Sequence, residues 1–443
     1  MTAARVVAAE VLADVRRGML LDPAFDRRAT AVDARDRRWV QELVWGMLRR
    51  RAWLDALLEE RVSGGLARLD ADLVDLLRLG LYQLLAMGSV PAYAAIAQTV
   101  ELAKRRHGLG ASRLANAVLR RADRDLQGAG GRGLAPARPA DAVAALALAE
   151  SHPEWLVARW VARWGVDETA RLLAANNAEA PIVVRAYGVV PEALAAELAE
   201  SGVATAERRP DVPWPSGSLA LAPGAALAEL GAYRQGHFHV QDPGSTWVTE
   251  YAAIAPGSTV ADVCAAPGGK AAELARTAEF VYAGDRSPAR LRRVVGNLAR
   301  LGLGHVLPYV GDARTPPLRP VDAVLVDAPC TGTGTFRRHP DARWRLKVSD
   351  LAVMSAVQRQ ILRSAAAVVR PGGLLIYSTC SLEPEENDAP VDGFLADHPG
   401  WALEPPPAGT VPEAVLDAGR LRVLPHRHGS DGAFAARLRR GEG

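Results

Sequence analysis

Residues 258–270 read STVADVCAAPGGK, and this stretch decides the fold. A short apolar run carrying Asp262 passes into a turn of small residues closed by Gly268 and Gly269. Small residues there let the backbone approach a ligand, and the helix that follows offers a dipole-positive end. Four more apolar runs of strand length come after it: EFVYAGD (279–285), HVLPYVGD (305–312), VDAVLVDAPC (321–330) and GGLLIYSTC (372–380). Amphipathic segments such as PARLRRVVGNLARLG (288–302) separate several of them. Continuous apolar strands joined by crossover helices predict a mostly parallel sheet covered on both faces. Ligands of such sheets bind outside the carboxyl ends of the strands.

Asp262, Asp285, Asp312 and Asp327 close or nearly close these strands. Asp285 lies about twenty residues beyond the glycine turn, where an acid grips a ribose hydroxyl in dinucleotide-type folds. The alternative for Asp285 is a helix cap, since Arg286-Ser287-Pro288 follow. There is no GxGxxG and no GxxxxGK[ST], which disfavours a nicotinamide and a P-loop. The Ala-Pro-Gly-Gly-Lys turn fits a nucleoside with little phosphate, such as S-adenosylmethionine. Asp312, in VGDARTPP, is either a loop acid or the group that in methyltransferase folds bonds the adenine amino group.

The chain has three cysteines, Cys264, Cys330 and Cys380, each at a strand's carboxyl end by this reading. Thiols so few are not staples, and they are expected to crowd into one pocket. Cytosine C5 is a poor nucleophile. A thiolate added to C6 makes C5 enamine-like and able to accept a methyl group, which is covalent catalysis. The adduct must then lose the C5 proton and expel the thiol. VDAPC and YSTC, with Asp327 three residues before Cys330, supply such a set. Spacing alone leaves open which thiol attacks. Two thiols without this context would be small buried hydrophobes.

At 443 residues, two or three domains are expected. No apolar run approaches the ~20 residues of a membrane span, and Glu10 and Asp14 break up any signal-peptide core. These features predict a cytoplasmic protein. A formal charge of +3 says little about partners. Lysine occurs only at 104, 270 and 347, so Lys270 in the glycine-rich turn stands out against an arginine background. Residues 1–127 read as a helical bundle, with an apolar stripe Trp39, Val40, Leu43, Val44, Met47 and Leu48, and Asp70 as a helix cap. Its later helices, near 92–106 and 112–126, carry Lys104, Arg105, Arg106, His107, Arg113, Arg120, Arg121 and Arg124. These form either a solvated face or an RNA-contacting surface. Residues 128–142 read as a linker, 143–240 as a small α+β module and 241–443 as a Rossmann-like α/β domain. The loop FRRHPDARWR (336–345) is expected to meet phosphates and stack on bases; the alternative is a surface loop with a structural tryptophan.

DVCAAPGGK, DAPCTGTGTFRRHPDARW and STCSLEPEEN resemble the signatures of the Sun/Fmu (RsmB) family of bacterial 16S ribosomal RNA cytosine-5 methyltransferases. ESHPEWLVARW, AANNAEAP and HVQDPGS resemble its middle region, GLYQLL with PAYAAIAQTVELAK its NusB-like N-terminal domain, and DGAFAARLRR its closing strand. The resemblance covers nearly the whole chain. It implies S-adenosylmethionine held by Cys264, Ala265, Ala266, Pro267, Gly268, Gly269 and Lys270, with Asp285, Arg290, Asp312 and Asp327. It also implies Cys380 as nucleophile and Cys330 as the thiol that assists release, with Asp327 and Lys270 orienting the cytosine. No metal is assigned. The expected partner is RNA, 16S ribosomal RNA first; no DNA or membrane partner is expected, and the protein is expected to act as a monomer. Transfer RNA or another RNA as substrate, a non-catalytic RNA-binding factor of antitermination type and a small-molecule methyltransferase are the alternatives.

Overall fold

Residues 2–130, 133–205, 214–222 and 224–442 are described by the structure, a computed structural model. It divides into two units, Met1–Asn177 with His339–Arg345, and Ala178–Arg338 with Leu346–Gly443.

The first unit is helical. Asp33 accepts the Asp36 amide and starts the helix Ala34–Arg49, which buries Val40, Leu43, Val44, Met47 and Leu48 of the predicted stripe. Asp70 caps Ala71–Ala86 through the Asp72 amide, as read from the sequence. The two later helices form one element, Ala92–Gly128, kinked at Gly108. Its basic residues part company. Arg106 and His107 both turn back onto Asp72, at 3.0 and 2.9 Å. Arg113, Arg120, Arg121 and Arg124 stay exposed at helical spacings that place them along one face.

Helices Ala142–Ala149, Glu154–Trp164 and Val166–Asn177 also belong to this unit. The sequence reading placed them in a module beginning at 143; the contacts divide instead after Asn177. The reason is local. Ala52 donates its amide to Ser151 Oγ at 2.9 Å, and Arg343, fully buried, donates to the Asn176 carbonyl and Asn177 Oδ1 at 3.0 and 2.8 Å. Gly131 and Arg132 of the expected linker lie outside the described residues.

The second unit holds two sheets. β1 (Ile182–Ala186), β2 (Ser218–Leu221) and β3 (Phe238–Val240) make an antiparallel sheet in the order β2-β1-β3. The helix Pro191–Glu200 packs Leu194 and Leu198 into its core. The larger sheet contains β4 (Thr259–Asp262), β5 (Phe280–Asp285), β6 (Val306–Val310), β7 (Val321–Asp327), β8 (Val369–Thr379), β9 (Trp401–Leu403), β10 (Leu416–Asp417), β11 (Arg420–Val423) and β12 (Ala433–Arg440). Its order is β10-β11-β12-β8-β7-β4-β5-β6, with β9 beside β12. β8, β7, β4, β5 and β6 run parallel, and β12 returns antiparallel against β8. Successive side chains of β4 serve opposite faces: Val260 joins the core with Trp247 and Val294, Ala261 the core with Leu362 and Tyr377. Strand order reverses between β4 and β7, so a crevice opens beyond their carboxyl ends. No helix among the described residues is long and apolar enough to cross a membrane.

Three arginines of the loop after β7, expected to meet phosphates, are held by the protein itself. Arg337 and Arg338 both bond Asp242 (2.8 and 2.7 Å) and Asp431 (2.5 and 2.7 Å). In the other unit Trp344 Nε1 donates to the Leu48 carbonyl at 2.8 Å. Acids distant in sequence claim Arg337 and Arg338, and backbone and amide oxygens claim Arg343, so these side chains hold the fold rather than await phosphates.

Removing one carboxylate from this buried set strands an arginine charge, so Asp242→Ala is expected to lower the unfolding free energy by ~3–5 kcal/mol in urea titration. Burial pushes the Asp242 carboxyl up, but Arg338 and Arg337 outweigh it and hold the pKa below its ordinary value. That stabilisation is complete above the ordinary carboxylate pKa of about 4 and fades as pH falls through the lowered value. Stability of the parent protein should therefore fall more steeply in acid than that of Asp242→Ala.

Candidate active site

The end of β4 delivers Asp262 to the crevice, fully buried, where Oδ1 accepts the Cys264 amide at 3.2 Å. Its Oδ2 has no hydrogen-bond partner. Burial first, then the neighbouring Asp327 charge, pushes this carboxyl up to about 7. A buried, unpaired carboxylate oxygen among other acids suits a cationic ligand group. Cys264 lies in the same acidic surroundings; burial and then Asp262 raise its thiol, so it keeps its proton. The turn beyond it is pinned by the Ala265 amide on the Gly284 carbonyl (2.8 Å). Gly268 has φ 109°, and a Cβ there would lie 3.4 Å from Val294 Cα, so backbone conformation and space both favour glycine.

Asp285 ends β5, buried, and Oδ1 accepts the Ser287 amide at 2.8 Å. Ser287, not Asp285, caps the next helix, accepting from the Arg290 amide. Asp285 is thus not spent as a cap. Arg290 reaches Asp285 at 3.5 Å and the Ala266 carbonyl at 3.0 Å, so it braces the turn from outside. Asn297 does the same through the Pro267 carbonyl at 3.1 Å. Asp312, beyond β6, stands apart: Arg314 engages both its oxygens (2.6–3.1 Å) and holds the carboxyl down at about 2. These groups fit a nucleoside carrying a positive charge. Gly268, Gly269 and the turn backbone form a cradle, Asp285 has a strand-end position suited to a ribose, and Asp262 presents an unmatched carboxyl oxygen.

Lys270 crosses the crevice and donates to Asp327 Oδ2 at 2.7 Å; Ser378 donates to Asp327 Oδ1 at 3.1 Å. Burial pulls the Lys270 pKa down, but the Asp327 charge outweighs it and the ammonium is kept. Beyond Asp327 and Ser378, Cys330 Sγ and Cys380 Sγ lie 3.3 Å apart. A hydrogen bond with Cys380, then burial, raises the Cys330 thiol well above its ordinary value. So two of the three thiols meet, while Cys264 sits among the acids.

Sequence reasoning assigned no role to Glu386 of STCSLEPEEN. It is fully buried, and all of its donors are uncharged. Oε1 accepts the Thr331 amide at 2.8 Å and Gln358 Nε2 at 3.0 Å, while Oε2 accepts the Thr331 and Ser381 hydroxyls. Thr331 follows Cys330 and Ser381 follows Cys380. The one sequence signal was an acid two residues past a proline in the loop after the cysteine; its partners are too distant in the chain to be inferred.

Comparison with known proteins places the chain in a family. The family model described as 16S rRNA methyltransferase RsmB/F matches residues 251–439. The NusB family matches 2–124, and an RsmF/B-like ferredoxin-like domain matches 152–213. A probable ribosomal RNA small subunit methyltransferase B of Synechocystis sp. is 35% identical, over 99% of this chain and 100% of its own. The ribosomal RNA small subunit methyltransferase B of Sodalis glossinidius is 33% identical, over 98% and 97%. Among solved structures, that of PH0851 superposes with a TM-score of 0.80 at 27% identity, covering 99% of each chain.

The loop after Cys330 passes so near the Cys380 backbone that a Cβ on Gly334 would lie 2.7 Å from the Cys380 carbonyl oxygen and 2.8 Å from Gly432 Cα. Gly334→Ala is therefore expected to destabilise the protein by about 1–3 kcal/mol. It should also slow oxidative cross-linking of Cys330 to Cys380, scored by peptide mass mapping; unchanged cross-linking would mean the loop can yield without moving the thiols.

Proposed function

The chain belongs to the RsmB/F family of 16S rRNA methyltransferases, and we propose that it methylates cytosine C5 of small-subunit ribosomal RNA through a covalent thiol adduct. The observation that carries this reading is the 3.3 Å pair of Cys330 and Cys380 beside Lys270 and Asp327. A methyltransferase working on an already nucleophilic atom has no use for two touching thiols.

S-adenosylmethionine, when bound, supplies an electrophilic methyl group. Residues 264–270 and Asp285 would hold it, Asp262 would face its positive charge, and Asp312 would serve the adenine after exchanging Arg314 for it. The target cytosine leaves its stack to enter the crevice. Asp327 and Lys270 hold its polar edge. The family resemblance gives the attack to Cys380, whose Sγ, once deprotonated, forms a bond to C6. C5 then takes the methyl group. Loss of the C5 proton to water and departure of Sγ as thiolate restore the C5–C6 double bond and release the product, and the Cys330 thiol, in contact with Sγ, assists by hydrogen-bonding the departing thiolate. The exposed face of Arg113, Arg120, Arg121 and Arg124 suits RNA phosphates, and the N-terminal unit would position the substrate.

Cys380→Ala is expected to abolish transfer of a labelled methyl group to purified small-subunit RNA, whereas Cys330→Ala should stop after at most one turnover. Near-normal turnover by Cys380→Ala would overturn the mechanism. Methylation of transfer RNA in preference to 16S RNA would keep the chemistry and change the substrate.

A further inference from the structure

We propose that Glu386 is a positioning residue of the thiol pair, its carboxylate tying the loop after Cys330 to the loop after Cys380. The inference rests on the two-thiol reading above. A buried carboxylate is costly unless its oxygens are satisfied. Here four donors satisfy it, from the Cys330 loop (Thr331 amide and hydroxyl), the Cys380 loop (Ser381 hydroxyl) and the helix Val348–Ala367 (Gln358). All four point at an acceptor, and an ionised carboxylate is acceptor-only. A glutamine in its place would keep one acceptor oxygen for the Thr331 amide and Gln358, but its NH2 would force the Thr331 and Ser381 hydroxyls to reverse from donors to acceptors. Gln358 Nε2 also holds the Pro329 carbonyl at 2.9 Å, and Tyr377 donates to the Glu386 carbonyl at 2.6 Å, so the clamp is itself held on both sides of the cysteines.

Charge adds to geometry. The Glu386 anion is among the influences that keep the proton on Cys330, after the Cys380 hydrogen bond and burial. On the other side, the Lys270 ammonium interacts with Cys380 as well as with Asp327. Tyr377 also faces Cys330, and its own hydroxyl is kept protonated mainly by burial. Glu386 thus interacts with Cys330, and Lys270 with Cys380. Glu386 acts through the loops and touches no reacting atom.

The test uses the full-length protein and two readouts. In a Cys380→Ala background, iodoacetamide labelling of Cys330 is followed against pH by peptide mapping. Adding Glu386→Gln removes a negative charge and is expected to move the labelling midpoint to lower pH. In the otherwise unchanged protein, Glu386→Gln is expected to slow single-turnover methyl transfer by ~10²-fold, the scale of a small misplacement of reacting groups. Binding of S-adenosylhomocysteine should be unaffected. Should Glu386→Gln fail to fold, Thr331→Val with Ser381→Ala removes one donor from each loop and is expected to reproduce the loss of transfer. A labelling midpoint that does not move, or transfer at the parent rate, overturns the role of Glu386. Full activity of Cys380→Ala would instead overturn the two-thiol reading, whatever the labelling shows.

Discussion

The pairing of β7 with β8 is the constraint on which the site depends. In that parallel ladder Asp327 stands opposite Ser378. The Ala328 amide on the Ser378 carbonyl, at 2.8 Å, extends the register one step past the strand. Cys330 and Cys380 follow within three residues of that pair, so the ladder alone brings both thiols to one edge of the crevice. Side-chain order could not do this if the register slipped, because a one-residue shift turns every side chain to the other face. The strand-order reversal at β4 then places the glycine turn and Lys270 across from them.

What the ladder sets coarsely, buried polar groups set finely. Lys270 bridges from the β4 side to Asp327. Glu386 joins the two cysteine loops, and Gly334 lets them pass within hydrogen-bond distance, its amide on the Cys380 carbonyl at 2.9 Å. Farther out, the Asp242–Arg337–Arg338–Asp431 cluster closes the same loop region. Such groups are costly to bury unless paired, and each pairing here removes a degree of freedom from the loop that carries Cys330.

Much of this was legible in the sequence. β4 to β7 announced themselves as apolar runs ending at or near acids and β8 as one ending in a cysteine, because a parallel sheet covered on both faces needs continuous apolar strands. Asp33 escaped notice as a cap, while Asp70 did not. β10 and β11 are two and four residues long and carry no readable period. The resemblance, not periodicity, marked β12. Within the loop at 336–345 the inward turn of Arg337, Arg338 and Arg343 was not legible, because basic residues around a tryptophan look alike whether they meet phosphate or buried acid. Asp242 and Asp431, about 95 residues away on either side, decide the matter for Arg337. Glu386 escaped for the same reason, with Thr331 55 residues and Gln358 28 residues distant. Long-range polar pairing leaves no local trace.

The central claim is that Cys380 bonds to the RNA while Cys330 completes release. Its most direct measurement is peptide mapping by mass spectrometry of Cys330→Ala protein incubated with small-subunit ribosomal RNA and S-adenosylmethionine, then digested with protease and nuclease. The account requires a methylated cytidine nucleotide on the peptide that carries Cys380. The same nucleotide found on the Cys330 peptide of Cys380→Ala protein, with Cys380 unmodified in Cys330→Ala protein, would contradict it.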